Sequence, residues 1–178
     1  MKIIGIIPAR YASTRFPGKA LAEIKGISML QRVYEQAKKA NCLSELIIAT
    51  DDERIVKHAS SFGAKAIMTK TEHPSGTDRC FEAYQLNGKS YDYVINIQGD
   101  EPFLDPEQIN SLGRICKGET EIATQMIKCN NADVLFDLGE VKITLNTKNE
   151  ALYFSRNVIP FLKGKDQKVW HENQSPHH

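Results

Sequence analysis

The sequence predicts an α/β fold: an open, mostly parallel sheet with helices on both of its faces. Two observations support this fold class. Short apolar runs, rich in β-branched residues, alternate along the chain with amphipathic segments of helical periodicity. Residues that cap helices or form turns stand between these runs. Repeated β–α units of this kind place successive strands parallel to one another.

The first strand and the first helix are predicted near the start of the sequence. Residues 2–8 form a continuous apolar run, which is typical of a strand buried on both faces. Ser28 then opens a helix, and Gln31 stands three residues later, at the spacing of a capping box. Residues at helical spacing mark the buried face of this helix: Leu30, Val33, Tyr34 and Ala37.

The next two strands flank a second helix. Residues 46–50 and 65–69 predict these strands. Between them, Asp51 and Asp52 cap a helix that ends at Gly63. The apolar face of this helix consists of Ile55, Val56, Ala59 and Phe62.

The following segment repeats the alternation of strand and helix. Ser75 begins a helix, with Asp78 three residues later. Residues 93–97 predict a fourth strand. Asp105 caps the next helix, and Pro106 occupies its first position. Two more strands are predicted at residues 121–128 and 140–146.

Composition excludes several classes of protein. The 178 residues carry 23 Lys and Arg against 22 Asp and Glu, a net charge of +1, so no excess of positive charge favours binding to nucleic acid. Hydrophobic residues make up 41% and charged residues 25%, as in a globular protein with a core. No apolar run approaches the ~20 residues of a membrane-spanning helix, and the apolar start is too short for a signal peptide. We therefore expect a cytoplasmic protein.

The cysteines favour a structural role. None forms a C-x-x-C pair, and the histidines show no ligand spacing beside them. Buried, reduced thiols are the favoured interpretation, with a metal or redox role as the weaker alternative. The cysteines are Cys42, Cys80, Cys116 and Cys129.

Two segments are candidates for a ligand site, because ligands bind beyond the carboxyl ends of the strands in such sheets. They are the loop after the first strand, residues 8–25, and the end of the fourth strand, residues 98–102. The loop carries Arg10, Arg15 and Lys19 among small and hydroxyl residues, which suits a polyphosphate. A solvated basic loop is the alternative.

Two familiar phosphate-binding motifs are excluded. A P-loop needs Gly-Lys followed by Ser or Thr, but Gly18 and Lys19 are followed by Ala20. No G-x-G-x-x-G fingerprint occurs in the chain. Asp100 follows a predicted buried strand, where its carboxylate could reach Mg²⁺ in the cleft. A cationic loop facing this aspartate would suit a metal-bound nucleoside triphosphate, although an aspartate after a strand is often only a turn or cap residue.

At these residues the chain resembles the 3-deoxy-manno-octulosonate cytidylyltransferases, or CMP-Kdo synthetases. Kdo stands for the sugar acid 3-deoxy-manno-octulosonate. Motifs in the family's order carry the resemblance: PARYASTRFPGKAL at residues 8–21, HPSGTDR at 73–79, NIQGDEP at 96–102 and ALYFSR at 151–156. Together they cover about the first 160 residues of the chain. Sialic acid synthetases, which are related, lack the R-x-P-G-K run.

The resemblance implies a Rossmann-like nucleotidyltransferase fold and a reaction. In the implied reaction, CMP is transferred from CTP to Kdo, which gives CMP-Kdo and releases pyrophosphate. CMP-Kdo would serve lipopolysaccharide biosynthesis. The resemblance also implies Mg²⁺ as the cofactor and a homodimer as the assembly. It implies catalytic roles for Lys19, Arg15 and Asp100, with Asp100 also the metal ligand. It implies nucleotide binding by Pro8, Ala9, Arg10, Arg15, Lys19, Ser75, Gly76 and Arg79, and sugar-acid binding by Gln98 and Arg156.

The resemblance also implies a further segment. Family members continue with aromatic and histidine contacts to the sugar, a second metal-binding aspartate and much of the dimer contact. We therefore expect residues 1–178 to form a single nucleotidyltransferase domain without its C-terminal portion. We expect this chain alone to bind CTP weakly and to make no CMP-Kdo. Whether His177 and His178 are native is left open. Two alternatives remain: a nucleotide-binding domain without catalysis, and another sugar-1-phosphate nucleotidyltransferase.

Overall fold

A parallel sheet of four strands organises the first of two units into which the chain divides, Met1–Thr124 and Gln125–His178. The computed structural model describes residues 1–12, 16–129 and 131–173. Within these residues the elements of the first unit are β1 (Ile3–Ala9), β2 (Glu23–Ile24), β3 (Ile27–Ser28), α1 (Met29–Ala37), β4 (Glu45–Thr50), α2 (Glu53–Ser61), β5 (Lys65–Met68), α3 (Gly76–Asn87), β6 (Tyr93–Asn96) and α4 (Pro106–Ile115).

The strand order of the main sheet is β5-β4-β1-β6, and all of its pairings are parallel. The chain proceeds from β1 to β4 and β5 in one direction, and β6 then pairs with the other side of β1. The order therefore reverses between β1 and β6, which is where open α/β sheets bind ligands. The small β2–β3 hairpin is antiparallel and precedes α1.

Helices cover both faces of this sheet, as the sequence predicts. Ile3 and Ile7 of β1 lie in a core shared with residues of α1, α2 and α4. Ile4 and Ile6, on the opposite face, pack in a second core with residues of α3. Because successive side chains of a strand point to opposite faces, β1 is buried on both sides. The predicted fold class is confirmed.

The predicted helix starts are confirmed, with one correction at α1. The Oγ of Ser28 accepts a hydrogen bond from the Gln31 amide at 3.1 Å. The Gln31 side chain donates to Glu35 instead of returning to the N-cap, so the capping box predicted there is wrong. A reciprocal box forms at α4, between Asp105 and Gln108.

The other caps and the cysteines follow the predictions in part. Asp52 caps α2, Ser75 caps α3, and Gly63 after α2 has a φ of +74°. On α2, Ile55 and Ala59 are buried, whereas Val56 and Phe62 are half-buried.

Of the cysteines, Cys80 and Cys116 are buried, whereas Cys42 and Cys129 are half-buried, and all are free thiols.

Glu45 of β4 contacts β5 and the loop before β6 at the amino-terminal edge of the sheet. Its carboxylate accepts hydrogen bonds from Lys89 at 2.8 Å, from Lys65 at 3.1 Å and from the hydroxyl of Tyr91. Burial alone would raise the pKa of Glu45, but these hydrogen bonds outweigh it and lower the pKa to about 2. The network stabilises the end of the sheet opposite to the predicted ligand site.

The second unit has a small antiparallel hairpin and a core around Trp170. Its elements within the described residues are α5 (Ala132–Phe136), β7 (Lys142–Leu145), β8 (Ala151–Ser155) and a 3-10 helix (Gln167–Asn173). Trp170 is buried, and its ring contacts those of Phe136 and Phe161. The Nε1 of Trp170 donates to the Lys165 carbonyl at 3.1 Å.

The two strands predicted late in the chain have different outcomes. The strand at residues 140–146 is confirmed as β7. The strand predicted at 121–128 is wrong, because these residues pair with no strand in the described part of the chain and all are exposed, Ile122 by 93%. A single domain over residues 1–178 stays a prediction. Among the described residues, no helix combines the length and apolar character needed to cross a membrane.

Candidate active site

A cleft of about 240 Å³ lies at the carboxyl ends of β1 and β6, where the strand order reverses. The residues that line it are Pro8, Ala9, Arg10, Lys19, Ala20, Gly76, Gln98, Gly99 and Asp100. All of these except Ala20 and Gly99 were predicted as site residues. The structure therefore brings together segments that lie far apart in the sequence, at the position that the topology favours.

Two glycines allow the cleft walls to approach closely. The Ile97 amide donates to the Ile6 carbonyl at 2.9 Å, which brings the segment after β6 beside the end of β1. A Cβ at Gly99 would lie 2.8 Å from the Pro8 carbonyl oxygen, and one at Gly76 would lie 3.3 Å from the Pro8 side chain. The role of Gly99 was not predicted, although a glycine directly after a strand is a signal of close backbone approach.

Lys19 and Asp100 meet inside the cleft. The Nζ of Lys19 lies 2.7 Å from Oδ2 of Asp100, and the two side chains are 39% and 52% exposed. The lysine comes from the loop after β1 and the aspartate from the segment after β6. The Lys19 ammonium and the Asp100 carboxylate are therefore in direct contact, and both remain accessible to a ligand that enters from solvent.

The backbone near Lys19 is held by a stacked side chain. Gly18 has a φ of +70°, which favours glycine, and its amide donates to the Tyr11 carbonyl at 2.8 Å. The guanidinium of Arg54 lies 3.3 Å from the Tyr11 ring centroid. Asp52 accepts hydrogen bonds from Arg54, and these lower the pKa of Asp52. Roles for Tyr11 and Arg54 were not predicted, because their contact joins distant parts of the chain.

Arg10 is fixed by the loop that precedes α3. Its Nη2 donates to the carbonyl of His73. The Nε2 of His73 lies 2.5 Å from Oε2 of Glu82, and the same oxygen accepts from the Lys70 amide at 2.9 Å. The hydrogen bond with His73, followed by that from the Lys70 amide, lowers the pKa of Glu82. His73, which contacts Arg10, and Glu82 and Lys70, which hold the loop, were not predicted as site residues.

The N-terminus of α3 reaches the cleft at Gly76. Ser75 caps this 12-residue helix: its Oγ accepts from the Asp78 amide at 3.2 Å and donates to the Asp78 carboxylate at 2.5 Å. The start of a helix carries free amides and a partial positive charge, which suit an anionic ligand. The predicted nucleotide residues Ser75 and Gly76 thus lie at a helix end that faces the cleft.

Arg79 lies in the protein interior. Its side chain is fully buried, and its two terminal nitrogens donate to Thr69 at 2.6 Å and to Asp51 at 2.9 Å. Asp51 follows β4 and Thr69 follows β5, so the arginine joins α3 to the carboxyl ends of two neighbouring strands. The nucleotide contact that the resemblance implies for Arg79 stays a prediction.

The remaining predicted residues are placed as follows. Gln98 is exposed in the cleft, and its Nε2 lies 3.5 Å from Oδ1 of Asn96. Arg156 belongs to the second unit, follows β8, and donates to the carbonyls of Leu138 and Gly139, both at 2.8 Å. Arg15 lies outside the described residues.

Among the described residues that line the cleft, Asp100 is the one carboxylate that a metal ion could reach. No group of three or more His, Cys, Asp or Glu side chains that could hold a metal is present among the residues that the structure describes. Mg²⁺ is commonly bound by one or two carboxylates together with substrate phosphates and water. The hard oxygens of Asp100, exposed in a cleft beside cationic side chains, fit such a site when a triphosphate completes the ligand set.

Comparison with known proteins gives a consistent result. A family model described as cytidylyltransferase matches residues 4–175. The 3-deoxy-manno-octulosonate cytidylyltransferase of Cytophaga hutchinsonii is 48% identical over 98% of this chain and 70% of its own length. That of Parabacteroides distasonis is 51% identical, over 96% of this chain and 69% of its own. An 8-amino-3,8-dideoxy-manno-octulosonate cytidylyltransferase of Shewanella baltica is 48% identical, over 93% of this chain and 69% of its own length.

A solved structure extends the similarity to the fold. The structure of a CMP:2-keto-3-deoxy-manno-octonic acid synthetase complexed with CTP matches with a TM-score of 0.80 and 37% identity, over 92% of this chain and 68% of the other. A cytidylyltransferase structure from Leptospira borgpetersenii, at 20% identity and a TM-score of 0.56, shares the fold. The chain belongs to the cytidylyltransferase family, which confirms the resemblance seen in its motifs.

Proposed function

We propose that this cytidylyltransferase transfers CMP from CTP to Kdo, releasing pyrophosphate, as a step in lipopolysaccharide biosynthesis. The observation that carries the proposal is the pairing of Lys19 with Asp100 in a cleft at the reversal of strand order. Support comes from relatives named for this sugar acid and from a structural neighbour whose complex contains CTP.

The reaction requires positive charge beside the triphosphate. The anomeric hydroxyl of the sugar acid attacks the α-phosphorus, so a carboxylate-bearing nucleophile must approach a polyanion. Arg10 and Lys19 line the cleft from the β1 side and would bind phosphate oxygens. Lys19 would stabilise the charge that develops on the α-phosphate, and the free amides near Gly76 would donate hydrogen bonds to further anionic oxygens.

Mg²⁺ dependence is part of this proposal, with Asp100 as the residue that would hold the ion. When bound, Mg²⁺ would neutralise phosphate charge and favour deprotonation of the attacking hydroxyl. Lys19, now paired with Asp100, would pair with a phosphate oxygen in the complex, which would leave the Asp100 carboxylate available to hold the ion.

Other parts of the proposal rest on the family resemblance. Gln98, in the cleft, and Arg156, in the second unit, would bind the sugar acid, with Arg156 pairing with its carboxylate. Arg15 would bind phosphate. A cytoplasmic location and a homodimer complete the proposal, and cell fractionation and the molar mass in solution test them directly.

A second acceptor is supported by the name of a Shewanella baltica relative. The Shewanella baltica protein, named for 8-amino-3,8-dideoxy-manno-octulosonate, is 48% identical to this chain, a value equal to that of the Cytophaga relative. The amino sugar carries an additional positive charge at neutral pH in place of a hydroxyl, and a site built for one group is expected to reject the other.

The test is pyrophosphate release by protein expressed from its complete gene. CTP and Mg²⁺ are supplied with Kdo, with the 8-amino sugar acid, with sialic acid or with a hexose 1-phosphate, and without an acceptor. Release with Kdo at a kcat/KM at least about tenfold above that for every other acceptor supports the proposal, since each tenfold step reflects about 1.4 kcal/mol of discrimination. CTP binding without release in any mixture contradicts the transferase function and favours a nucleotide-binding role.

A further inference from the structure

We propose that His73 and Glu82 are positioning residues of the nucleotide cleft, which act through Arg10. The inference rests on the proposed function, because it concerns how the triphosphate-binding arginine is held. It assigns a role to the loop of residues 70–75, which connects β5 to α3, and to a carboxylate on the helix that follows this loop.

A single carboxylate anchors the loop to the helix. Oε2 of Glu82 accepts the Lys70 amide at 2.9 Å and lies 2.5 Å from Nε2 of His73. The side chains of His73 and Glu82 are only 16% and 18% exposed, so water competes weakly for these hydrogen bonds. Glu82 thereby fixes both the start and the middle of the loop.

The loop in turn determines where Arg10 lies. The His73 carbonyl accepts a hydrogen bond from Nη2 of Arg10, whose side chain extends from the end of β1. An arginine side chain has many rotamers, and holding it in one of them lowers the entropy lost when a ligand binds. The anchor on Glu82 therefore prepares one cationic wall of the cleft before the nucleotide arrives.

The loop also leads directly into the other anion-binding element. Residue 73 is followed within three positions by Gly76, whose backbone packs against Pro8 in the cleft. The Ser75 cap on the Asp78 amide, at 3.2 Å, does not involve Glu82, so we expect loss of the anchor to displace Arg10 while the start of α3 keeps its position. We expect the effect to appear in CTP affinity, since Arg10 faces the phosphate chain.

The experiment is a double-mutant cycle on CTP affinity, measured by calorimetry without a sugar acid. Glu82→Ala should weaken CTP binding roughly tenfold in the wild-type background and less than about twofold when Arg10→Ala is already present. Glu82→Gln keeps an oxygen acceptor and should restore most of the affinity. Gln85→Ala, on an exposed position of the same helix, is the matched control and should leave CTP affinity unchanged.

Equal losses in both backgrounds would overturn the inference, because Glu82 would then act independently of Arg10. Wild-type affinity in a folded Glu82→Ala protein would also overturn it. If Glu82→Ala fails to fold, His73→Ala replaces it in the cycle with the same expected coupling, since the Lys70 amide keeps its acceptor.

Failure of the proposed function gives a different pattern. It appears as a wild-type protein that binds no CTP or releases no pyrophosphate with any acceptor. Amide hydrogen exchange in the 70–75 loop still reports on the anchor in that case. Faster exchange in Glu82→Ala than in Gln85→Ala supports the anchoring step, and equal exchange overturns it.

Discussion

Replacing Arg79 by Met tests whether this arginine stabilises the sheet or contacts the nucleotide. The arginine side chain is 0% exposed and that of Asp51 is 12% exposed. Met keeps an unbranched apolar side chain in the core but removes the hydrogen bonds to Asp51 and Thr69. Asp51 then loses its ion-pair partner while it stays mostly buried. Breaking a buried pair in this way costs about 3–5 kcal/mol, a large share of the ~5–15 kcal/mol that stabilises a domain.

The assay is urea unfolding followed by circular dichroism. We expect the double variant Asp51→Asn/Arg79→Met to be more stable than Arg79→Met alone, because it contains no carboxylate deprived of its partner. Arg114→Met is the matched control: it breaks an ion pair with Glu107 whose side chains are 62% and 59% exposed. That loss should be far smaller than the loss in Arg79→Met, because both charges of an exposed pair stay solvated when the pair is broken.

One result would refute this reasoning. If Arg79→Met keeps the wild-type free energy of unfolding to within about 1 kcal/mol and loses about tenfold or more in CTP affinity, Arg79 contributes to the nucleotide site and not to the scaffold. Such an outcome would support the nucleotide contact implied by the family resemblance.

Four other changes have defined outcomes. Lys19→Ala should lower turnover about a hundredfold or more, which corresponds to roughly 3 kcal/mol of lost transition-state stabilisation, with a smaller change in CTP affinity. If steady-state kinetics instead show unchanged turnover with a raised KM for CTP, Lys19 contributes to ground-state binding of CTP only. Asp100→Asn should abolish Mg²⁺-dependent turnover with an unchanged circular dichroism spectrum, and wild-type activity across a Mg²⁺ titration would contradict the metal role. Gly99→Ala should cost about 1–3 kcal/mol in urea unfolding, because its Cβ would lie 2.8 Å from a backbone oxygen, and unchanged stability would contradict that close approach. Glu45 has a pKa of about 2 against an ordinary 4.5, so its stabilising effect is present at neutral pH and lost as the pH falls from 4.5 to about 2. Glu45→Gln should therefore lower the free energy of unfolding by about 1–3 kcal/mol at pH 7 and make this free energy depend less on pH below 4.5. An unchanged pH dependence in acid would show that other groups control it.

The elements that sequence analysis predicted best are those specified by local chemistry. Ser75 and Asp52 cap their helices because a short side-chain oxygen reaches an amide two or three residues ahead, a relation visible in the sequence. The run at residues 2–8 predicts a doubly buried strand for a similarly local reason. The two segments that the switch-point rule nominates both contribute residues to the cleft at the ends of β1 and β6.

Prediction failed where a structure depends on partners distant in the chain. Residues 121–128 contain apolar side chains, but no strand pairs with them in the described part of the chain, and strand pairing is not encoded in the segment itself. The stacking of Arg54 on Tyr11 and the bond from Arg10 to the His73 carbonyl likewise join remote segments. Such contacts are visible only after the chain has folded.

Two ion pairs of the first unit show why burial decides the role of a charged residue. The pair of Lys19 with Asp100 is 39% and 52% exposed, so it contributes at most about 1 kcal/mol and can be exchanged for ligands at little cost. The pair of Arg79 with Asp51 is almost completely buried, so separating it costs several times more. The cleft proposed to bind a polyanion and a cation is suited by a pair of the first kind, whereas the end of β4 is joined to α3 by a pair of the second kind. A basic residue paired with an aspartate therefore belongs to the proposed binding cleft at one position and to the scaffold at the other.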